Sequence, residues 1–176
     1  MCRSRLAAIA LTAVACAGCS EVDAPSAAPA AGGAGGEEAV VTRVVDGDTL
    51  IARLGGDDVR VRMLGVDAPE SVAEDRPVEC FGPQASARAK ALLPKGTRVT
   101  LATDPSQGRF DRFDRLLAEV SVAGTARTIN ERLIAEGYAE VFRGDGRGRL
   151  QPRLRAAESA AREAGLGIWS ACRSRR

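Results

Sequence analysis

Three carboxylates and an arginine lie within two short stretches of this sequence and are the side chains best suited to chemistry. The first stretch is Asp-Gly-Asp-Thr at positions 46–49, which contains Asp48, and the second runs from Arg62 through Asp67 to Glu70. Hard cations such as Ca²⁺ prefer carboxylate and carbonyl oxygens and keep positions for water and a substrate oxygen. Arginine can contact a phosphate through two parallel hydrogen bonds. These residue types therefore indicate a site for a hard cation and a phosphate.

Histidine is absent from the 176 residues, and this narrows the chemistry. The chain lacks the commonest zinc ligand, the commonest general base and any Ser-His triad. Aromatic residues form 3% of the chain, so any platform for stacking on bases must be small. Catalysis would therefore have to use carboxylates, arginines, hydroxyls or a metal ion.

Alternating apolar residues and turn signals predict the elements that position these side chains. They predict strands at residues 40–45, 49–53 and 59–66, followed by strands at 98–102 and 116–122. Helices are predicted after Gly82-Pro83, after a capping box at residues 128–131, and over residues 150–164. This order predicts an α+β fold that is mainly β: a five-stranded barrel of the oligonucleotide-binding (OB) type with three helices.

The N-terminal residues have the features of an export signal. Basic residues precede an apolar run at 6–17, which is shorter than the roughly 20 residues that span a bilayer. The Ala-Gly-Cys segment ending at Cys19 resembles the cleavage site of a bacterial lipoprotein signal, in which the cysteine is lipidated. The alternatives are Ala-x-Ala cleavage near Ala15 or Ala17 with secretion, and a buried N-terminal helix.

Composition then divides the rest of the chain. Residues 20–38 are rich in Ala, Gly and Pro and predict a flexible linker. We therefore expect a lipoprotein-type signal peptide at 1–19, a linker at 20–38, the OB-fold domain at 39–172 and a basic tail at 173–176. The expected location is extracytoplasmic, either lipid-anchored to the bacterial cell membrane or secreted.

Two of the five cysteines, Cys80 and Cys172, lie in the expected domain. An even pair of cysteines in an exported protein favours a disulfide. Two unpaired buried thiols are the alternative.

Five motifs follow one another in a specific order along the chain. They are Asp-Gly-Asp-Thr at 46–49, Arg62 with Val-Asp-Ala-Pro-Glu at 66–70, Gly-Pro-Gln-Ala-Ser at 82–86, Asp-Arg-Phe-Asp-Arg at 111–115 and Gly-Ile-Trp-Ser at 167–170. With these motifs the chain resembles the staphylococcal nuclease (thermonuclease) family over residues 40–169. The resemblance implies a Ca²⁺-dependent nuclease that hydrolyses phosphodiester bonds of DNA and RNA and leaves 3′-phosphate ends.

The same resemblance implies roles for individual residues. The implied catalytic residues are Arg62, Glu70 and Arg115, with Glu70 as general base or positioner of the attacking water. The implied Ca²⁺ ligands are the carboxylates of Asp48 and Asp67 and the backbone carbonyl of Ala68. The implied substrate contacts are Arg112, Phe113, Phe142 and Arg143.

Departures from the family pattern fall mainly on the substrate contacts. Phe113 stands where the family usually has Tyr, and Asp114 replaces the usual Gly and could pair with Arg115. The tyrosines that stack on a base are missing, so Phe142 or Arg143 would have to supply a flat surface.

The expected partners are DNA and RNA, single-stranded or locally opened, and a membrane reached through the lipid anchor, with the protein acting as a monomer. One alternative is a non-catalytic nucleic-acid-binding OB-fold lipoprotein. A second is a structural lipoprotein whose acid cluster binds Ca²⁺. The presence of Arg62, Glu70 and Arg115 together favours the enzyme.

Overall fold

Five strands of the chain close into a β-barrel, as the sequence predicts. The computed structural model describes residues 35–71, 77–144 and 148–172, which all belong to one unit, Gly32–Arg176. The strands in chain order are β1 Glu37–Asp46, β2 Thr49–Leu54, β3 Asp57–Met63, β4 Val66–Asp67, β5 Arg98–Ala102, β6 Leu116–Val122 and β7 Glu140–Val141. The barrel order is β1-β2-β3-β6-β5, with β3 and β6 parallel and the other neighbours antiparallel. The α+β, mainly β, OB-fold prediction is therefore confirmed.

The first strand begins earlier than the alternating apolar pattern indicates. Glu37 and Glu38, which the sequence placed in the linker, pair with Leu101 and Thr100 of β5. Because these side chains are polar, strand periodicity does not reveal them, and only the partner strand extends the pairing.

The strand predicted at residues 59–66 is wrong at its end. β3 stops at Met63, and Gly65 has a φ of +70°, which redirects the chain. Val66 and Asp67 form the separate strand β4, which pairs with β7. A two-residue strand shows no measurable alternation, so the sequence could not distinguish it from a continuation of β3. The break carries Asp67 and the residues after it away from the barrel wall.

The described residues contain four helices where the sequence predicted three. They are α1 Gly82–Leu92, α2 Ile129–Ala135, α3 Gln151–Glu163 and α4 Ile168–Ala171. Thr128 caps α2 as its capping box predicts, since its hydroxyl accepts a hydrogen bond from Glu131 N at 3.3 Å. The additional helix, α4, has four residues, too few to show a helical period.

A buried asparagine connects the helices to the strand that leads into the acid cluster. Asn130 of α2 has no exposed surface, and its side-chain oxygen accepts from Val120 N at 2.8 Å. Its amide nitrogen donates to Leu64 O at 2.9 Å and to Ala118 O at 3.3 Å. These bonds satisfy polar groups that water cannot reach. They hold the turn at Leu64 against β6, and so set where β4 begins.

The C-terminal end of the domain is joined to the segment before α1. A disulfide links Cys80 to Cys172, with their Cα atoms 5.9 Å apart. Within the three described ranges, no helix is long and apolar enough to cross a membrane. The expected signal peptide, the lipidated Cys19, most of the linker and the basic tail lie outside the described residues.

Candidate active site

A polar cleft of about 580 Å³ opens beside the turn between β1 and β2. The sequence-predicted residues that line it are Asp48, Arg62, Asp67, Ala68, Glu70, Arg112, Phe113 and Arg115. These residues come from the β1–β2 turn, from β3, from β4 and the segment after it, and from the loop before β6. The structure therefore brings together all three implied catalytic residues and all three implied Ca²⁺ ligands.

Asp48 is a buried carboxylate of the cleft. One oxygen, Oδ2, forms an ion pair with Arg62, whose Nη1 lies 2.7 Å away, and accepts a hydrogen bond from Ala68 N at 3.0 Å. The other oxygen, Oδ1, accepts from Thr49 Oγ1 at 2.9 Å. Burial raises the pKa of Asp48 above its ordinary value, and the Arg62 charge and the two hydrogen bonds only partly offset this. A cation bound beside Asp48 would favour its charged form.

The Arg62 guanidinium is held in one orientation by three groups. Besides Asp48, its Nη1 donates to the carbonyl oxygen of Val66 at 2.7 Å. Its Nη2 lies 3.7 Å from Asp67 Oδ1. The side chain is 14% exposed, so the guanidinium lies at the wall of the cleft and not in bulk solvent. An arginine ordered in this way loses little side-chain entropy when it contacts a substrate.

Asp46 makes a local hydrogen bond within its turn and a second hydrogen bond to a residue distant in sequence. Its Oδ1 accepts from Gly47 N at 2.7 Å, as in a local turn, and also from Ser71 Oγ at 2.5 Å. Ser71 directly follows Glu70, so Asp46 ties the β1–β2 turn to the segment that carries Glu70. Sequence reasoning missed this contact because the partners are 25 residues apart.

Glu70 lines the cleft, and both of its backbone polar groups form hydrogen bonds with Glu79. Glu70 N donates to Glu79 Oε2 at 3.2 Å, and Glu79 N donates to Glu70 O at 2.9 Å. The Glu70 side chain turns back over its own chain, where its Oε1 accepts from Ser71 N at 3.1 Å. Glu79 also lines the cleft, and no sequence motif pointed to it.

Arg115 reaches the cleft from the opposite side and is paired with Asp111. Asp111 Oδ2 accepts from Arg115 Nε at 2.7 Å and lies 2.6 Å from Arg115 Nη2. Arg115 therefore pairs with Asp111, whereas the sequence offered Asp114 as a possible partner. Asp114 has a φ of +58°, a conformation that glycine adopts easily, and Asp111 is the residue whose carboxylate faces Arg115.

The pKa of Asp111 is lowered from its ordinary value. Burial opposes ionisation, but hydrogen bonds from the backbone and side chain of Arg115 and from Phe113 N outweigh that effect. Asp111 is therefore ionised at neutral pH and pairs with the positive charge of Arg115.

Exposed aromatic rings border the cleft on the side of Arg115. Phe113 is 59% exposed, and the guanidinium carbons of Arg112 and Arg115 lie 4.6 Å and 5.3 Å from its ring centroid. Phe113 and Phe142 both line a neighbouring cavity of about 590 Å³, which shares Arg62 and Arg115 with the cleft. Arg143 is exposed and lines neither cavity.

The donor set of the cleft fits a hard cation. Across the described ranges, no group of three or more His, Cys, Asp or Glu side chains is arranged to hold a metal ion. The implied Ca²⁺ ligands do not form such a group of three side chains, because they are the two carboxylates of Asp48 and Asp67 and the backbone carbonyl oxygen of Ala68. All three donors are oxygens, which suits Ca²⁺ with water completing its coordination.

Known proteins are similar in sequence to this chain. The family model described as staphylococcal nuclease homologue matches residues 60–171. A thermonuclease from Staphylococcus hyicus is 35% identical over 130 residues, which are 74% of this chain and 74% of that protein. A thermonuclease from Staphylococcus intermedius is 35% identical over 134 residues, 76% of this chain and 77% of that protein. Endonuclease YncB from Bacillus subtilis (strain 168) is 35% identical over 129 residues, 73% of this chain and 59% of that protein.

Proposed function

We propose the reaction of this protein from the premise that the chain belongs to the staphylococcal nuclease family and is a nuclease that hydrolyses nucleic acid. The proposed reaction is Ca²⁺-dependent hydrolysis of phosphodiester bonds in DNA and RNA without sugar specificity. Water attacks phosphorus, the bond to the 5′-oxygen breaks, and a 3′-phosphate end remains.

One observation carries this proposal: two of the arginines that line the cleft come from separate parts of the fold and share the cleft with Asp48, Asp67 and Glu70. Arg62 comes from β3 and Arg115 from the loop before β6, and each is held by a carboxylate, Asp48 and Asp111 respectively. Positioned donors of this kind stabilise the charge that develops on phosphate oxygens as phosphorus becomes five-coordinate. A barrel that only bound Ca²⁺ for stability would have no use for them.

Each group in the cleft has a defined task in this mechanism. Asp48, Asp67 and the Ala68 carbonyl would hold Ca²⁺, which would supply positive charge to the cleft. Glu70 accepts a proton from the attacking water at its carboxylate, or orients that water. Arg62 and Arg115 contact the non-bridging oxygens of the phosphate.

Charge balance explains why the proposed reaction needs a cation. Five carboxylates and four arginines line the cleft, so without a cation the formal charge of the lining is negative and repels a phosphodiester. A divalent cation reverses the sign. The more highly charged transition state then gains more than the substrate does, which is the requirement for catalysis.

The proposal is tested by comparing Glu70→Gln with the native protein. Purified full-length protein is incubated with single-stranded DNA, duplex DNA and RNA, in Ca²⁺ or in a chelator. We expect cleavage only in Ca²⁺, and a loss of kcat of about 10²–10⁴ in Glu70→Gln, the range for a lost general base. Products should become polymerase primers only after phosphatase treatment, because their ends carry 3′-phosphates.

Glu163→Gln provides the matched control, because Glu163 is exposed at the end of α3 and contacts Ser159. It removes the same charge far from the cleft and should cleave like the native protein. Equal activity of Glu70→Gln and Glu163→Gln would contradict the role of Glu70. Intact polymer in Ca²⁺, with binding retained, would favour the non-catalytic nucleic-acid-binding alternative.

We also propose that the protein acts outside the cytoplasm as a monomer, anchored through a lipidated Cys19 or released after cleavage. The export features of residues 1–19 and the linker at 20–38 support this, and so does the disulfide, because such bonds persist in oxidising compartments. Mass spectrometry of the mature N-terminus tests it. An unprocessed N-terminus beginning at Met1 would contradict export by this signal.

A further inference from the structure

Glu79 holds both backbone polar groups of Glu70. Glu79 N donates to the carbonyl oxygen of Glu70 at 2.9 Å, and the Glu79 carboxylate accepts from Glu70 N at 3.2 Å. Both residues also line the cleft. The position of the Glu70 backbone at the cleft therefore depends on where Glu79 lies.

Glu79 begins a tight turn that packs directly on Glu70. Gly82 N donates to Glu79 O at 3.0 Å, and Phe81, between them, has a φ of +71°. A Cβ atom on Gly82 would overlap the carbonyl oxygen of Glu70, so this close approach requires glycine. The turn at residues 79–82 thus contacts Glu70 at two points, Glu79 and Gly82.

The same turn contains Cys80, whose disulfide partner is distant in sequence and is held by hydrogen bonds in a packed part of the domain. Cys172 lies 92 residues away, and its N donates to Ile168 O at 3.0 Å. Ile168 is fully buried, and its N donates to Gly137 O at 2.9 Å, just beyond α2. The disulfide therefore connects the turn that holds Glu70 to a packed part of the domain.

We infer that Glu79 and the Cys80–Cys172 disulfide are positioning residues for Glu70, so that the enzyme reaches its full rate only when this disulfide is formed. The inference rests on the proposed function, in which Glu70 acts on the attacking water. Catalytic geometry is sensitive to displacements of about 1 Å. Without the disulfide, the turn would be free to shift, and Glu70 would shift with it.

The first test compares the oxidised and reduced native protein. Two electrons and two protons from dithiothreitol break the S–S bond and leave two thiols, while dithiothreitol becomes a cyclic disulfide. Cys80 is exposed and therefore accessible to the reagent. Cys80→Ser/Cys172→Ser, with and without dithiothreitol, provides the matched control for effects of the reagent itself.

Kinetics are measured well below the unfolding temperature of the double-serine variant, with circular dichroism to show that all samples are folded. We expect kcat to fall about tenfold in the reduced native protein and in the double-serine variant, the direction expected when a catalytic group loses its alignment. KM should change less than twofold, and dithiothreitol should not affect the double-serine variant. Unchanged kcat in folded, reduced protein would overturn the role of the disulfide.

Glu79 is tested by Glu79→Ala and Glu79→Gln. Glutamine keeps a side-chain oxygen that can accept from Glu70 N, whereas alanine removes it. We expect Glu79→Ala to lower kcat about fivefold to tenfold, the effect of one lost hydrogen bond, and Glu79→Gln to retain most of the native kcat. Equal losses in both variants would show that the charge of Glu79 matters and would overturn the positioning role.

Amide hydrogen exchange at Glu70 and Ser71 gives a readout that needs no activity. We expect faster exchange there after reduction and in Glu79→Ala, with unchanged exchange at Val61 in the barrel core. If the native protein cleaves nucleic acid but reduction alters neither kcat nor this exchange, the inference fails while the proposed function stands. If the native protein does not cleave, the proposed function fails, and exchange at Glu70 alone decides whether the turn positions it.

Discussion

Asp111 gives Arg115 its orientation within the cleft. Its carboxylate accepts hydrogen bonds from Arg115 Nε and from the backbone nitrogens of Phe113 and Arg115 at 2.9 Å and 3.0 Å, and it lies 2.6 Å from Arg115 Nη2. One side chain therefore shapes the loop and holds one edge of the guanidinium. In the proposed mechanism, the other edge of the guanidinium would contact the phosphate.

We expect Asp111→Asn to lower kcat/KM by about tenfold, because asparagine keeps an oxygen for the loop but loses the charged partner of Arg115. Steady-state cleavage of a DNA substrate measures this. Asp114→Asn is the matched control, because Asp114 belongs to the same loop and asparagine adopts its positive φ readily. Similar kinetics in the two variants would mean that Arg115 does not need Asp111.

Helices α1 and α2 are joined by an ion pair between Arg88 and Glu136. Arg88 Nε and Nη2 donate to the two Glu136 oxygens at 2.6 Å and 2.9 Å. The hydrogen bonds from Arg88 lower the pKa of Glu136, although burial opposes them, and they raise the pKa of Arg88. A carboxyl whose pKa is lower in the folded state stabilises the fold above its ordinary pKa. This contribution is lost as the pH falls through the lowered value.

Glu136→Gln should therefore lower the free energy of unfolding by about 1 kcal/mol at pH 7, as expected for a partly exposed bidentate pair. The difference from the native protein should shrink as the pH falls below the ordinary glutamate value of 4.5. Urea unfolding at pH 7 and at pH 3 measures it, with Glu163→Gln as the control. A difference that stayed constant over this range would show that Glu136 does not act through its charge.

The Cys80–Cys172 disulfide constrains the whole domain, since it closes a loop of 92 residues. In the chain-entropy account, cross-linking a loop of this length stabilises the folded state by about 4–5 kcal/mol, chiefly by restricting the unfolded chain. The bond joins the segment before α1 to the end of α4. It therefore encloses most of the barrel and the helices between its ends.

Cys80→Ser/Cys172→Ser should lower the unfolding temperature by roughly 8–20 °C, since each kcal/mol shifts it by about 2–4 °C in a protein of 150–250 residues. Reduction of the native protein should give the same shift. Thermal unfolding followed by circular dichroism measures both. Equal unfolding temperatures for oxidised and reduced protein would mean that breaking the disulfide does not increase the conformational entropy of the unfolded chain.

Elements with a clear local period were predictable from the sequence, and short elements were not. The alternation in β2, β5 and β6 and the capping box of α2 depend on neighbouring residues, so the sequence shows them directly. The pairs β4–β7 and the single turn of α4 contain too few residues for a period. These short elements form because segments that are distant in sequence pack against them. A local stretch of sequence does not contain both packing partners.

The sequence by itself determined which side chains are present for chemistry, and the order of its motifs indicated the nuclease family. Asp48, Arg62 and Glu70 were recognisable because their residue types and spacing carry that information. Only the tertiary structure decided which distant groups hold the residues of the site. Asp111 contacts Arg115, Asp46 contacts Ser71, and Glu79, next to the disulfide, contacts Glu70. Such contacts arise when packing brings separate segments together, and side-chain chemistry along the chain does not specify which partner will be nearest.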